Sequence, residues 1–254
     1  MNKIFVIALN TFKENIRDKV LYNLLFFGLL LIGSSILLGS LTIGEQDKII
    51  KDIGLAGINV FGVLIAIFVG IGLVSKEIEK RTIYTLLAKP VTRYQFLLGR
   101  YVGLVITLFV NTSVMVVGFF GVLLLSGMRP DLGLLEAISM IFMELLVIVA
   151  ITVMFSTFTT PTLSATFTLA LYVIGHLAGD LRALAEKLQS GLSKFLLDGL
   201  SYTLPNLDFF NIKGEAVYGV PIAASYLLTA MGYGFAYAGI VIALACVIFQ
   251  RRDF

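Results

Sequence analysis

Three side chains capable of chemistry stand inside long apolar stretches of this 254-residue chain: the carboxylate Glu144, the imidazole His176 and the thiol Cys246. A carboxylate in the middle of an apolar run suits either contact with a cation or relay of a proton; the other reading is a hydrogen bond to a hydroxyl or backbone group where helices meet. At the centre of a bilayer such a charge costs about 2.5–3.5 kcal/mol on insertion scales, so Glu144 is expected to face protein or water, or to be protonated. His176 is the chain's 1 histidine. Without a second histidine or a nearby cysteine it does not make a metal site, and a Ser–His pair or two-histidine metal centre is hard to assemble around it. No catalytic residue and no metal ligand is assigned. Cys246 is the 1 cysteine, so no intrachain disulfide forms, and its apolar surroundings suit a buried small hydrophobe. Asn111, Thr112 and Ser113 have the hydrogen-bonding capacity to link neighbouring helices.

The elements that must hold these residues follow from composition. Hydrophobic residues make up 58% of the chain and charged residues 14%, with a mean hydropathy of +0.97. Soluble domains carry about 25% charged residues. The polar surface that a water-exposed domain would require is missing, which points to lipid as solvent. Crossing about 30 Å of hydrocarbon takes roughly 20 helical residues. Val20–Ile43, Gly54–Ser75, Leu97–Ser126 and Ile222–Phe249 each meet that length. The tract Ala137–Ala178 is long enough for two crossings, and Pro161 suits the first turn of the second. The expectation is therefore an all-α, six-span protein. Gly62, Gly70, Gly72, Gly232, Gly234 and Gly239 suit close helix packing.

Basic residues test the count. With the N-terminus inside, Lys3, Lys13, Arg17, Lys19, Lys76, Lys80, Arg81, Lys89, Arg93, Arg100, Arg251 and Arg252 fall on the cytoplasmic side, most of the 19 Lys and Arg. A five-span reading would move Arg251 and Arg252 outside. The net charge of +3 is dispersed in short clusters beside apolar runs, a membrane-orienting pattern rather than a nucleic-acid-binding stripe. The apolar stretch Ile4–Leu9 is too short and too soon interrupted for a cleavable signal peptide. Residues 1–19 instead carry Phe5, Leu9, Phe12 and Ile16 at helical spacing, as expected of a helix lying in the membrane interface. A second stripe, Leu181, Leu184, Leu188, Leu192, Phe195 and Leu196, falls in the outer loop 179–221 and is expected to cap the bundle.

The link between the second and third spans, KEIEKRTIYTLLAKPVTRYQFLLGR from Lys76 to Arg100, is the most informative segment. Thr82 is placed to N-cap a short helix bearing Ile83, Leu86 and Leu87, and Pro90 ends it. Thr92 to Gln95 reads as a capping box opening the third span, with Val91 and Phe96 as a hydrophobic staple. A short helix with leucines directed to the cytoplasm needs a partner to cover them.

This stretch resembles the first intracellular loop of ABC-2 type transporter permeases. The matching positions are Glu77, Arg81-Thr82, Leu86-Leu87, Pro90 and Arg93, with Gly99-Arg100 beyond; Arg81 stands where the family pattern has glycine. Tyr202–Phe210, YTLPNLDFF, also looks like a segment of the permeases grouped with multicopper-enzyme and nitrous-oxide-reductase maturation. The resemblance implies a transport subunit rather than an enzyme, sited in the inner (cytoplasmic) membrane with both termini cytoplasmic. A second permease copy and an ABC ATP-binding subunit would be its partners. Glu77, Arg81, Thr82, Ile83, Leu86, Leu87, Pro90 and Arg93 would couple it to that subunit, across a loop spanning 76–95, and ATP and Mg would sit on the partner chain. Consistent with that division, no GxxxxGK[ST] phosphate loop occurs in the sequence, and no cofactor is expected on this chain. A proton-coupled secondary transporter using Glu144 and a non-transporting membrane scaffold are the competing readings; matched broken helices in two halves, as in many secondary transporters, are not apparent.

Overall fold

A helix buried on every side organises the bundle. The computed structural model describes residues 3–42, 44–79, 92–179 and 204–251, giving only the helix path for 72–79. Among them lie α1 (Lys3–Asn15), α2 (Lys19–Ser40), α3 (Gln46–Glu79), α4 (Arg93–Leu125), α5 (Leu132–Ser156), α6 (Pro161–His176), a 3-10 turn (Leu207–Phe210), α7 (Lys213–Tyr218) and α8 (Ala224–Arg251). No strand occurs among the described residues. The all-α architecture expected from the apolar runs is therefore present. Five of these helices, α2, α3, α4, α5 and α8, are long and apolar enough to cross a membrane. The helix that begins at Pro161 has 16 residues, roughly 24 Å of rise, and falls short of that length.

α5 carries apolar side chains around its whole circumference, and from Met143 to Val153 every residue is buried. A helix of that pattern belongs in the middle of a bundle. α3, α4, α6 and α8 all pack against it. The α3 contact is close because Gly62 and Gly70 leave room for Leu145 and Thr152: a Cβ at either glycine would lie 2.8 Å from those side chains. Gly234 on α8 does the same for Met143 of α5. Gly232 and Gly239, expected to act likewise, face open space. α2 lies at the edge, burying Gly28, Ile32, Ser35 and Gly39 along one stripe while Phe26, Phe27, Leu30 and Leu37 point away from the protein.

Backbone groups at helix ends have no water to turn to in hydrocarbon, so side chains must serve them. Around the α5–α6 corner, Thr157 Oγ1 donates to the Met154 carbonyl (2.6 Å), Thr159 Oγ1 to Phe155 (2.8 Å) and Ser156 Oγ to Val153 (2.7 Å). The hydroxyl run before Pro161 thus closes one helix, and Pro161 at the first turn of the next, where an N–H would have no partner, opens the other. At the far end of α5, Asp131 caps the helix by accepting the Leu134 N–H (2.9 Å) and pairs with Lys51 of α3 (2.7 Å).

α1 does not pack through its apolar stripe. Phe5 is exposed and Leu9, Phe12 and Ile16 are half-buried, whereas Ala8, Thr11 and Asn15 are the buried residues, set against α4. The counterpart on α4 is a pair of glycines four residues apart. A Cβ at Gly103 would lie 2.5 Å from Thr11 Cβ and 2.7 Å from the Ala8 carbonyl oxygen; one at Gly99 would lie 2.7 Å from Ile7 Cβ. This is the small-xxx-small geometry by which helices approach in lipid. Asn15 Nδ2 donates to Thr107 Oγ1 (3.1 Å), and the buried Arg100 guanidinium donates to Glu14 (3.0 Å).

Two outcomes are expected. Gly103→Val forces α1 off α4 against backbone rather than a flexible tip and should cost about 1–3 kcal/mol in unfolding experiments in detergent or bicelles, whereas Gly121→Val, which faces open space, should be near neutral. For Asp131, partial burial pushes the carboxyl up, but the Lys51 hydrogen bond, the Leu134 N–H and the Lys51 charge together hold it below its ordinary value. Its folded-state affinity for a proton is thus lower than in the unfolded chain. The stabilisation is complete above the ordinary carboxylate range and is lost as pH falls through the lowered value. Asp131→Asn should flatten the acid limb of the Tm-versus-pH curve, measured by thermal melts across that range.

Candidate functional site

Glu144 sits half-way along α5 with 1% of its surface exposed, and its oxygens must find donors on other elements. Asn59 of α3 donates from Nδ2 to Glu144 Oε2 at 2.8 Å. That bond fixes the amide orientation, because only the nitrogen end can donate to a carboxylate. The Asn59 oxygen therefore faces the other way, where Tyr172 Oη of α6 donates to it at 2.9 Å and Lys213 Nζ approaches at 3.5 Å. Among the described residues, the second Glu144 oxygen, Oε1, has no donor in bonding geometry; His176 Nε2 is 3.4 Å away as an ion-pair partner. His176 Nδ1 lies 3.1 Å from the Tyr172 carbonyl, one turn back in α6. The Tyr172 ring packs against the imidazole at a tilt of 58°, with centroids 4.7 Å apart.

Lys213 belongs to a segment that folds back into the bundle. Asn59 is 13 residues beyond the first residue of α3, about 20 Å down the helix, yet Lys213 at the start of α7 reaches it. Tyr218 at the end of α7 receives the Lys48 ammonium 5.0 Å over its ring, so α7 runs alongside α3. Leu207, Phe210, Ile212, Ala216 and Val217 are buried. Two glycines seat this plug: a Cβ at Gly175 would lie 2.8 Å from Leu207 and 2.9 Å from the Pro205 carbonyl oxygen, and one at Gly234 would lie 3.1 Å from Phe210. Tyr233 Oη accepts the Asn206 N–H (2.9 Å), and Tyr226 Oη donates to the Phe209 carbonyl (3.0 Å).

Of the residues singled out from sequence, Glu144 and His176 come together here. Asn111 does not join them: its Nδ2 donates to the Thr107 carbonyl of its own helix (2.7 Å), as Ser113 does to Phe109 (2.7 Å). Asn59, Tyr172 and Lys213 were not singled out. Asn59 and Tyr172 are lone polar residues beside apolar neighbours and Lys213 is one of several polar residues in its loop, so only the spatial convergence of four elements marks them. Among described residues no cluster of three or more His, Cys, Asp or Glu could hold a metal.

Most of the expected coupling segment, namely Arg81, Thr82, Ile83, Leu86, Leu87 and Pro90, lies outside the described residues, as does the leucine-rich stripe from Leu181 to Leu196. Glu77 falls on the path of α3. Arg93, the first residue of α4, donates through Nη1 to the last carbonyls of α8, Gln250 (3.0 Å) and Phe249 (3.3 Å). Next to it the Thr92 N–H donates to Gln95 Oε1 (3.3 Å), the backward arm of the expected capping box. Val91 is likewise outside the described residues; the Phe96 ring stacks on Phe249 of α8, with centroids 6.2 Å apart. The start of α4 is thus bound to the end of α8 and, through Arg100, to α1.

A bundle of apolar helices around a fully buried one, with the carboxylate of Glu144 at its centre, defines a polytopic membrane protein. Residues 6–254 match the family model for ABC-2 family transporter proteins, and the chain belongs to that family. It is a membrane transporter component of an ABC system, a transport subunit rather than an enzyme. No curated protein matches the chain.

The hydrogen-bond pattern predicts unequal roles for the two buried asparagines. Asn59→Leu removes the donor to a buried carboxylate and the acceptor for Tyr172 and Lys213, and should cost about 1–3 kcal/mol or more. Asn111→Leu, which loses one bond within its own helix, should cost about 0.5–1.5 kcal/mol. Thermal unfolding of both variants in the same detergent reads the difference.

Proposed function

We propose that the chain is the permease subunit of an ATP-driven exporter, in which two permease copies form the pathway and two separate ABC subunits bind ATP and Mg beneath them. All six apolar helices cross the inner membrane in this reading, α6 with the help of the residues that follow it, and both termini lie in the cytoplasm. Residues 82–88 dock on the ATP-binding subunit through Leu86 and Leu87, and residues 1–19 lie along the membrane interface.

The observation that carries the reading is the family match over nearly the whole chain. Arg93 adds a mechanical argument. It belongs to the expected coupling loop, three residues after Pro90, and holds the last carbonyls of α8, while seven residues on Arg100 holds Glu14 of α1. A displacement delivered at 82–90 would reach three helices at once instead of bending one loop.

The test is affinity purification of the full chain from its native membranes, assayed for ATP hydrolysis. Wild type should bring down an ATPase. Leu86→Glu, which places a charge in an apolar contact, should lower its recovery roughly tenfold, about 1.4 kcal/mol in affinity, while the chain still inserts in the membrane. Equal ATPase recovery with Leu86→Glu, or transport by the chain alone in liposomes without ATP, would overturn the proposal.

A further inference from the structure

The bonding around His176 leaves one proton to be accounted for. Both atoms that face the imidazole are acceptors: the Tyr172 carbonyl oxygen at Nδ1 (3.1 Å) and the Glu144 carboxylate oxygen Oε1 at Nε2 (3.4 Å). A neutral imidazole carries one N–H and one lone pair. With the proton on Nδ1, the Nε2 lone pair opposes the Oε1 lone pairs; with it on Nε2, Nδ1 opposes a carbonyl. Each neutral tautomer therefore leaves one repulsive contact inside a bundle where, among the described residues, no other donor reaches Oε1. Either an imidazolium beside a carboxylate, or a carboxylic acid donating to Nε2, removes both conflicts. The two forms hold the same total number of protons and differ only in which heavy atom carries the shared one.

The geometry points to a proton-binding site made by Glu144 and His176, one proton per chain, that fastens the plug at 204–218 to the bundle. The charged and titratable groups around it are fixed by the surrounding elements. α7 contributes Lys213, whose ammonium meets Asn59 and whose field reaches both Glu144 and His176. The 3-10 turn contributes Asp208, which acts on His176, and α6 contributes Tyr172, bonded to Asn59. On α4 and α8, Tyr101 Oη donates to the Leu146 carbonyl and Tyr233 Oη accepts from Asn206.

The link to the plug is Gly175, the neighbour of His176, on which Leu207 and the Pro205 carbonyl rest. Once the shared proton leaves and the remaining one stays on Nδ1, the carboxylate and the Nε2 lone pair repel, and the end of α6 is pushed from α5. The seat at Gly175 moves with it, while Lys213 still holds Asn59. The plug then loosens first at its 205–210 end.

Because His176 is the only histidine, ring-labelled histidine gives a single imidazole signal from the full chain in nanodiscs. At neutral pH, Nδ1 should carry a proton while Nε2 either carries one too or shows the shift of a nitrogen accepting a strong hydrogen bond, and Glu144→Gln should move the Nε2 resonance. An unprotonated, unbonded Nε2 in wild type, or a resonance indifferent to Glu144→Gln, would overturn the proposal; the wild-type spectrum decides even if the variant does not fold. Hydrogen exchange across 204–218 provides the second readout. After correction for the intrinsic pH dependence of exchange, wild-type protection should fall severalfold as the site loses its proton. In Glu144→Gln it should not, since a Gln amide donates to Nε2 without titrating. The same pH dependence in both chains would reject the link to the plug. Neither readout involves ATP, so the outcome is separate from that of the ATPase experiment.

Discussion

A carboxylate embedded half-way along the most buried helix is the constraint to which the distal part of the structure answers. In a low-dielectric interior an ionised group without donors is driven to neutralise or to rearrange its surroundings. α5 cannot satisfy Glu144 by itself, because its own backbone groups are committed to the helix and its neighbouring side chains are Met143, Leu145 and Ile148. Donors must come from α3 and α6, which ties the packing of three helices to one side chain. Asn59 is suited to the task because an amide presents a donor at one end and an acceptor at the other, passing the charge's demand on to Tyr172 and Lys213. Meeting Lys213 in turn requires a segment from beyond α6 to descend to the level of Asn59. The plug's depth and the presence of Glu144 are thus two sides of one electrostatic requirement.

At the opposite end, different physics joins the helices. α1 meets α4 through Gly99, Gly103, Ala8 and Thr11, residues chosen for smallness, and adds a hydrogen bond at Asn15 and an ion pair at Glu14. Arg93 supplies donors to the Phe249 and Gln250 carbonyls at the end of α8. The guanidinium suits this position because its planar fork can serve two acceptors at once without giving up its charge. The outcome is an α4 tied to α1 on one side and to α8 on another, with polar contacts added to an apolar scaffold.

The parts legible in the sequence were those governed by local rules. Apolar length placed the helices, Pro161 marked the start of α6, and Thr92 with Gln95 marked the start of α4. The packing face of α1 was not legible, since the hydrophobic stripe Phe5, Leu9, Phe12 and Ile16 was assigned to the membrane interface and nothing marked which of the remaining residues would meet protein. In water that stripe would seek protein; in lipid it has no such need, and the small and polar stripe Ala8, Thr11 and Asn15 takes the protein contact. The same reversal hid the site. Asn59 lies 85 residues from Glu144 and Tyr172 lies 113 residues from Asn59, and no periodicity links single polar residues in separate apolar runs. Glu144 stood out because a charge there is expensive; its neutral partners carried no such mark.

That inversion also explains why the plug can be both well packed and releasable. Its apolar contacts, Leu207 and Phe210 on the glycines of α6 and α8, exchange one greasy surface for another and set shape more than energy. Its described polar contacts, Lys213 to Asn59, Asn206 to Tyr233 and Tyr226 to Phe209, lie in low-dielectric surroundings where each is strong. A segment held in that manner should respond steeply to the charge state of its anchor and weakly to changes in its apolar surface. Membrane segments stabilised mainly by burial in water-like surroundings would show the opposite ranking. In this chain the decisive interactions are therefore those of Glu144, Asn59 and Lys213, and the apolar bulk around them supplies the low dielectric that makes them strong.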